Sequence, residues 1–63
     1  MCFTIKHFRD GTPVGVPDRS TTMYGARSSA RARQGDLQSH LAVILAETAR
    51  GDQREIEVID FAR

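Results

Sequence analysis

Hydrophobic and polar positions alternate along the first part of the chain, which predicts a β-hairpin. Residues 2–9 read CFTIKHFR and are followed by Asp10-Gly11 and TPVGVP. Asp-Gly between two extended runs favours a two-residue turn, because both turn residues need a positive φ. The two prolines confine the second strand to a sheet edge. This turn predicts the pairs Arg9–Thr12, Phe8–Pro13, His7–Val14, Ile5–Val16 and Thr4–Pro17.

The following segment has the three-to-four-residue spacing of a helix. Ser20 or Thr21 is a suitable N-cap and Gly35 a suitable C′ residue, so a helix is expected between them. Its predicted inner face is narrow and mostly alanine: Met23, Ala26, Ala30 and Arg33. Such a helix can lie close to a sheet. A basic ordered loop is the alternative for this segment, because Gly25 lowers helix propensity.

From residue 41 the pattern is extended again, with LAVILAE and REIEVIDFA on either side of Gly51-Asp52. These runs predict a second hairpin. The chain is therefore expected to be one α+β domain over residues 1–63, in the order β-β-α-β-β. Its antiparallel four-stranded sheet carries one helix on one face. The first strand can pair with either strand of the second hairpin, so the strand order stays open.

One helix covers only one face of such a sheet. The two-residue period of the strands predicts which residues lie beneath it: Phe3, Ile5, Val14, Val16, Leu41, Val43, Leu45, Ile56 and Val58, under Met23, Ala26 and Ala30. An apolar patch is predicted on the uncovered face: Phe8, Ile44, Ile59 and Phe61. Exposed patches of this kind mark interfaces in small proteins. A bulge near Val58 that turns Ile59 and Phe61 into the core is the alternative.

Length and composition restrict the function. A 63-residue, 7.0 kDa chain buries only about 60% of its unfolded surface, so it has no room for a deep catalytic pocket. No catalytic, cofactor or metal-binding motif is recognisable, and Cys2, His7 and His40 match no zinc-ligand spacing. We therefore expect a non-enzymatic protein without metal or cofactor. The single cysteine, a charged N-terminal segment and the lack of a long apolar run predict a cytoplasmic protein without membrane association.

The net charge of +1 conceals an asymmetry between the two halves of the chain. Residues 1–35 carry six basic and two acidic side chains, and residues 36–63 carry three basic and six acidic ones. The helix region and its approach contain a cluster of candidate partner-binding residues: Arg19, Tyr24, Arg27, Arg31 and Arg33. Guanidinium groups bind carboxylate or phosphate through paired hydrogen bonds. The alternative is that these arginines pair with Glu55, Glu57 and Asp60 of the domain itself.

The size and the order of elements resemble the small single-domain inhibitors of phages and mobile elements, including proteins of the anti-CRISPR type. This resemblance implies stoichiometric binding to a larger host protein or nucleoprotein complex and obstruction of it. A small nucleic-acid-binding protein that uses the helix arginines on phosphates is one alternative. A structural homodimer through the uncovered sheet face is another.

Overall fold

The computed structural model describes residues 2–61 and contains two hairpins joined by a helix. The elements are β1 (Cys2–Arg9), β2 (Thr12–Ser20), α1 (Met23–Leu37), β3 (Leu41–Glu47) and β4 (Gln53–Asp60). Neighbouring strands are antiparallel, and the sheet order is β2-β1-β3-β4. The predicted α+β class with the order β-β-α-β-β is confirmed. The sequence left open which strand of the second hairpin pairs with β1, and in the structure this strand is β3.

The first hairpin turns at Asp10-Gly11, where both residues have positive φ, 53° and 78°. This is the backbone geometry that a tight two-residue turn requires. Beside the turn the predicted register is confirmed, with His7 opposite Val14. Beyond His7 the predicted pairs are wrong, because Ile5 lies opposite Asp18 instead of two residues earlier.

A bulge in β2 causes this shift in register. Gly15 has φ +73°, and a Cβ atom at this position would lie 2.7 Å from a Cδ atom of Leu37. The Leu37 side chain therefore occupies the space of a Cβ at this position, and the positive φ favours glycine there. Pro17 lacks the N–H that a ladder bond would need. Val16 is 75% exposed, so the prediction that it lies beneath the helix is wrong. β2 occupies a sheet edge, as its prolines predict.

The helix begins and ends later than predicted. Thr22, rather than Ser20 or Thr21, is the N-cap, and its side chain accepts a hydrogen bond from Gly25 N–H at 3.0 Å. Gly35 lies inside the helix, and Gln38 ends it in the left-handed conformation with φ 51°. Because the Gln38 N–H bonds back to the carbonyls of residues 34 and 35, the helix ends without glycine at that position.

The pairing of β1 with β3 determines which residues of β3 lie under the helix. Ile5 is directly opposite Ile44, and opposite residues of antiparallel strands share a face. Two alanines follow Ile44 onto the helix side: Ala42 and Ala46. The prediction was wrong for three residues that lie on the other side of the sheet: Leu41, Val43 and Leu45. The run LAVILAE is apolar on both sides, so its alternation alone could not identify the buried one.

The core within residues 2–61 contains six buried apolar side chains: Phe3, Ile5, Ala26, Ala30, Ala42 and Ile44. Four more apolar residues pack against it: Met23, Ala46, Ile59 and Phe61. The helix lies over β2, β1 and β3, and β4 extends beside it. Two other predicted core residues, Ile56 and Val58, are 48% and 46% exposed because they lie in this uncovered edge strand.

Candidate functional site

The outer face of the helix presents an aromatic side chain beside two arginines. Ala26 and Ala30 are fully buried against the sheet, so the opposite side of α1 faces solvent. Tyr24 is 83% exposed there. Arg27 and Arg31 follow it at spacings of three and four residues, which places all three side chains along one stripe. We call Tyr24, Arg27 and Arg31 the outer helix face.

Arg27 forms an ion pair with the edge strand of the sheet. Its Nε donates to Glu57 Oε2 at 2.9 Å, and a terminal nitrogen donates to Glu57 Oε1 at 2.8 Å. This paired hydrogen bond lowers the pKa of Glu57 and raises that of Arg27, and Arg31 lowers the pKa of Glu57 further. The predicted alternative, in which helix arginines pair with acids of β4, thus holds for Arg27. The pair also ties β4 to the helix.

The other two arginines of the predicted cluster lie elsewhere. Arg33 donates to the carbonyl of Val16 at 3.1 Å and so holds the bulged part of β2. Arg19 donates to Glu47 at 2.8 Å. Because Arg19 lies opposite Thr4, whose neighbour in β3 is Leu45, this pair crosses β1 on the side away from the helix. The five predicted binding residues therefore do not form one surface.

The predicted apolar patch of Phe8, Ile44, Ile59 and Phe61 does not form. Ile44 is fully buried in the core, while Ile59 and Phe61 pack against the core from the helix side. The alternative, in which these last two residues turn inward, is confirmed. The register of β4 shifts opposite Ile44 and Leu45, which places the irregularity at residue 56 rather than at Val58. Of the four residues, Phe8 alone lies on the side away from the helix.

A different apolar surface occupies the side of the sheet away from the helix. Phe8 lies opposite Leu41, and Val43 lies opposite Val58, so these side chains share that side with Leu45. All five are partly or largely exposed. We call Phe8, Leu41, Val43, Leu45 and Val58 the open face. A pocket of about 390 Å³ at its turn end is lined in part by Phe8, Leu41 and Val43.

A buried polar cluster beneath the helix was not predicted. A 2.8 Å hydrogen bond joins His7 Nδ1 and Ser39 Oγ, and these residues are 2% and 0% exposed. Within residues 2–61 the Nε2 atom of His7 is buried without a hydrogen-bond partner. Burial lowers the pKa of His7, the charge of Arg33 lowers it further, and Asp18 opposes them. Asp18 in turn accepts a hydrogen bond from Ser29. In the sequence, the only indication is that His7 continues the spacing of Phe3 and Ile5.

This cluster does not have the geometry of a hydrolytic site. A serine nucleophile must meet its substrate, and Ser39 is fully buried. Its carbonyl accepts a hydrogen bond from Gln34 Nε2 at 3.0 Å, so Ser39 links the end of the helix to β1. His7 and Ser39 therefore act as an internal anchor between the helix and the sheet.

Comparisons with protein-family models, with curated proteins and with solved structures found no match for this chain. In the part of the chain that the structure describes, no helix has the length and apolar character needed to cross a membrane. Function is therefore inferred from the side chains that the fold presents to solvent.

Proposed function

We propose that this domain is a non-enzymatic cytoplasmic binding protein that docks on a larger host protein or nucleoprotein complex and blocks it. The outer helix face is the proposed docking surface. The exposed Tyr24 beside Arg27 and Arg31 carries this proposal, because tyrosine and arginine are over-represented among residues that dominate the binding energy of protein interfaces. Inhibition of a CRISPR complex, as in the phage proteins of similar architecture, is the specific form that we propose.

The hydrogen bonds of the arginines favour a protein surface over bare nucleic acid. Among the four arginines of the predicted cluster, Arg19, Arg27 and Arg33 donate to Glu47, Glu57 and the Val16 carbonyl. A phosphate ligand would have to compete with these internal acceptors. Nonspecific nucleic-acid binding depends on many free cations and usually needs a markedly basic domain, whereas the net charge here is +1.

Docking through the outer helix face can be tested with a photoreactive amino acid in place of Tyr24. In cells or lysate of the host, irradiation is expected to crosslink one defined protein. Arg31→Glu should weaken that complex at least about thirtyfold, the effect of losing a strong interface contact. Arg50→Glu is the matched control, because Arg50 is exposed in the β3–β4 turn. If both charge reversals have the same effect, the helix is not the docking surface.

The specific proposal requires a separate assay. Cells that carry a CRISPR nuclease and a guide against a plasmid lose that plasmid, and expression of the wild-type domain should restore its retention. Tyr24→Ala should abolish the rescue, whereas Arg50→Glu should not. No rescue with any complex tested would refute the specific form and leave the docking proposal to the crosslinking result. A gel shift with DNA or RNA that falls steeply with salt would instead favour nucleic-acid binding.

A further inference from the structure

The open face lies on the side of the sheet away from the proposed docking surface, and its charges are divided between its two halves. Lys6 and Arg19 lie on the β1–β2 half. Glu47 and Glu55 lie on the β3–β4 half. Four of the five apolar side chains of the open face also lie on the β3–β4 half, and Phe8 lies on β1. The basic first half and acidic second half of the sequence thus become two sides of one surface.

We propose that a second copy of this chain covers the open face, with the two sheets packed face to face around a twofold axis parallel to the strands. This rotation places the β1–β2 half of one copy over the β3–β4 half of the other. Arg19 then faces Glu55 of the second copy, and Val43 faces Lys6 of the second copy. A twofold axis perpendicular to the strands would instead place the acidic β3–β4 half over the same half of the second copy, and like charges repel. The charge pattern therefore selects the parallel axis.

The pairing rows of the sheet specify the contacts. Phe8 and Leu41 occupy one row, so the rotation packs Phe8 on Leu41 of the second copy. Arg19 and Glu55 belong to the row through Thr4 and Leu45. The Arg19 guanidinium is 65% exposed although it donates to Glu47, and it has five N–H donors. Because the interface is symmetric, every contact occurs twice.

The size of the face predicts a weak dimer. Strands of seven to nine residues, spaced about 4.8 Å apart, present a projected face of roughly 500 Å². A standard stable interface buries about 800 Å² of accessible surface on each partner. We therefore expect a reversible dimer whose population depends on protein concentration. The outer helix faces of the two copies would point away from each other, so the dimer and the proposed function can fail separately.

Sedimentation equilibrium of the full chain tests this proposal. From about 1 µM to about 1 mM, a range that includes weak complexes, the mass should rise from 7.0 kDa toward twice that value. Leu41→Asp, which places a carboxylate against Phe8 of the second copy, should reduce association at least tenfold. The control Ala32→Asp, on the exposed side of the helix, should not change it. A wild-type chain that stays monomeric throughout would overturn the proposal and assign the open face to a different protein.

A charge exchange tests the orientation of the two copies without changing any apolar side chain of the open face. Arg19→Glu and Glu55→Arg each create like-charged pairs in a homodimer, so each variant alone should dimerise at least tenfold more weakly. Mixed together, the two variants pair Glu with Arg at both symmetric positions and should form a heterodimer. Circular dichroism confirms that each variant is folded. Unchanged dimerisation of the single variants, or no heterodimer on mixing, would overturn the proposed axis.

Discussion

Shortening Ile44 should destabilise the domain much more than shortening its neighbour Val43. Ile44 is fully buried and belongs to the core cluster with Ile5 and the helix alanines. Val43 is partly exposed on the open face. The two residues are adjacent in the same central strand, so their strand propensities and hydrogen-bond environments are closely matched. The difference between them reports which side of β3 the helix covers.

The expected magnitudes follow from burial. Removing one buried methyl group with Ile44→Val should cost about 1 kcal/mol, and Ile44→Ala should cost about 3 kcal/mol because it also leaves a cavity. The total stability of a domain this small is a few kcal/mol. Ile44→Ala is therefore expected to leave a measurable unfolded population, which makes Ile44→Val the better quantitative variant. Val43→Ala should cost only about 0.5 kcal/mol, because Val43 already contacts water.

Urea unfolding followed by far-ultraviolet circular dichroism measures these differences. With a slope of about 1 kcal/mol per M urea, Ile44→Val should lower the midpoint by about 1 M, and Val43→Ala by about half of that. The measurement belongs at low micromolar protein, where association through the open face contributes little. A shift for Val43→Ala as large as that for Ile44→Ala would mean that the other side of β3 lies under the helix, and the open face would then not exist.

Three further changes test local features of the fold. Gly15→Ala should destabilise the domain by at least about 1 kcal/mol in thermal unfolding, because φ is +73° and the new Cβ meets a leucine side chain; Gly35→Ala, in open space within α1, should stabilise it by about 1 kcal/mol, and a Gly15→Ala variant that melts at a higher temperature than the wild type would contradict the bulge geometry. Thr22→Ala should lower the free energy of unfolding by about 1 kcal/mol in chemical unfolding and Thr21→Ala by much less. Equal losses of stability would contradict Thr22 as the N-cap. Because burial lowers the pKa of His7, the unfolded chain takes up the proton first, so the free energy of unfolding should fall as the pH drops below about 6.5. Urea titrations at several pH values should show that His7→Asn removes this pH dependence, and an unchanged dependence would contradict the buried neutral state of His7.

Local chemistry was sufficient to predict the elements but not how they pack. The Asp10-Gly11 turn, the helix and the extended runs follow from residues that are close in the sequence. The shifted register of β2 depends on contacts that sequence proximity does not reveal, because Gly15 packs against Leu37 at the far end of the helix. Likewise, Ile44 is distinguished from Val43 only by the pairing of β3 with β1.

The candidate binding surface could be predicted in part. The spacing of Tyr24, Arg27 and Arg31 along the predicted helix is enough to place them on one side of α1. The same spacing contains no information about Arg19, which belongs to β2 and crosses to Glu47 on the other side of the sheet. The pairing of Arg27 with Glu57 was open at the sequence level, because the distance between the helix and β4 depends on how far the helix reaches across the sheet.

The distribution of apolar side chains connects folding with association. The helix contributes two buried alanines, and half of the six buried apolar residues are alanine. Larger side chains, Leu41, Val43 and Leu45, lie on the other side of a central strand, where the chain itself does not cover them. Fully burying a leucine or valine stabilises a protein by about 1.5–3 kcal/mol. A surface that binds only the folded domain would supply this burial and stabilise the fold by mass action. A domain with so small a core therefore gains most from a partner on its open face.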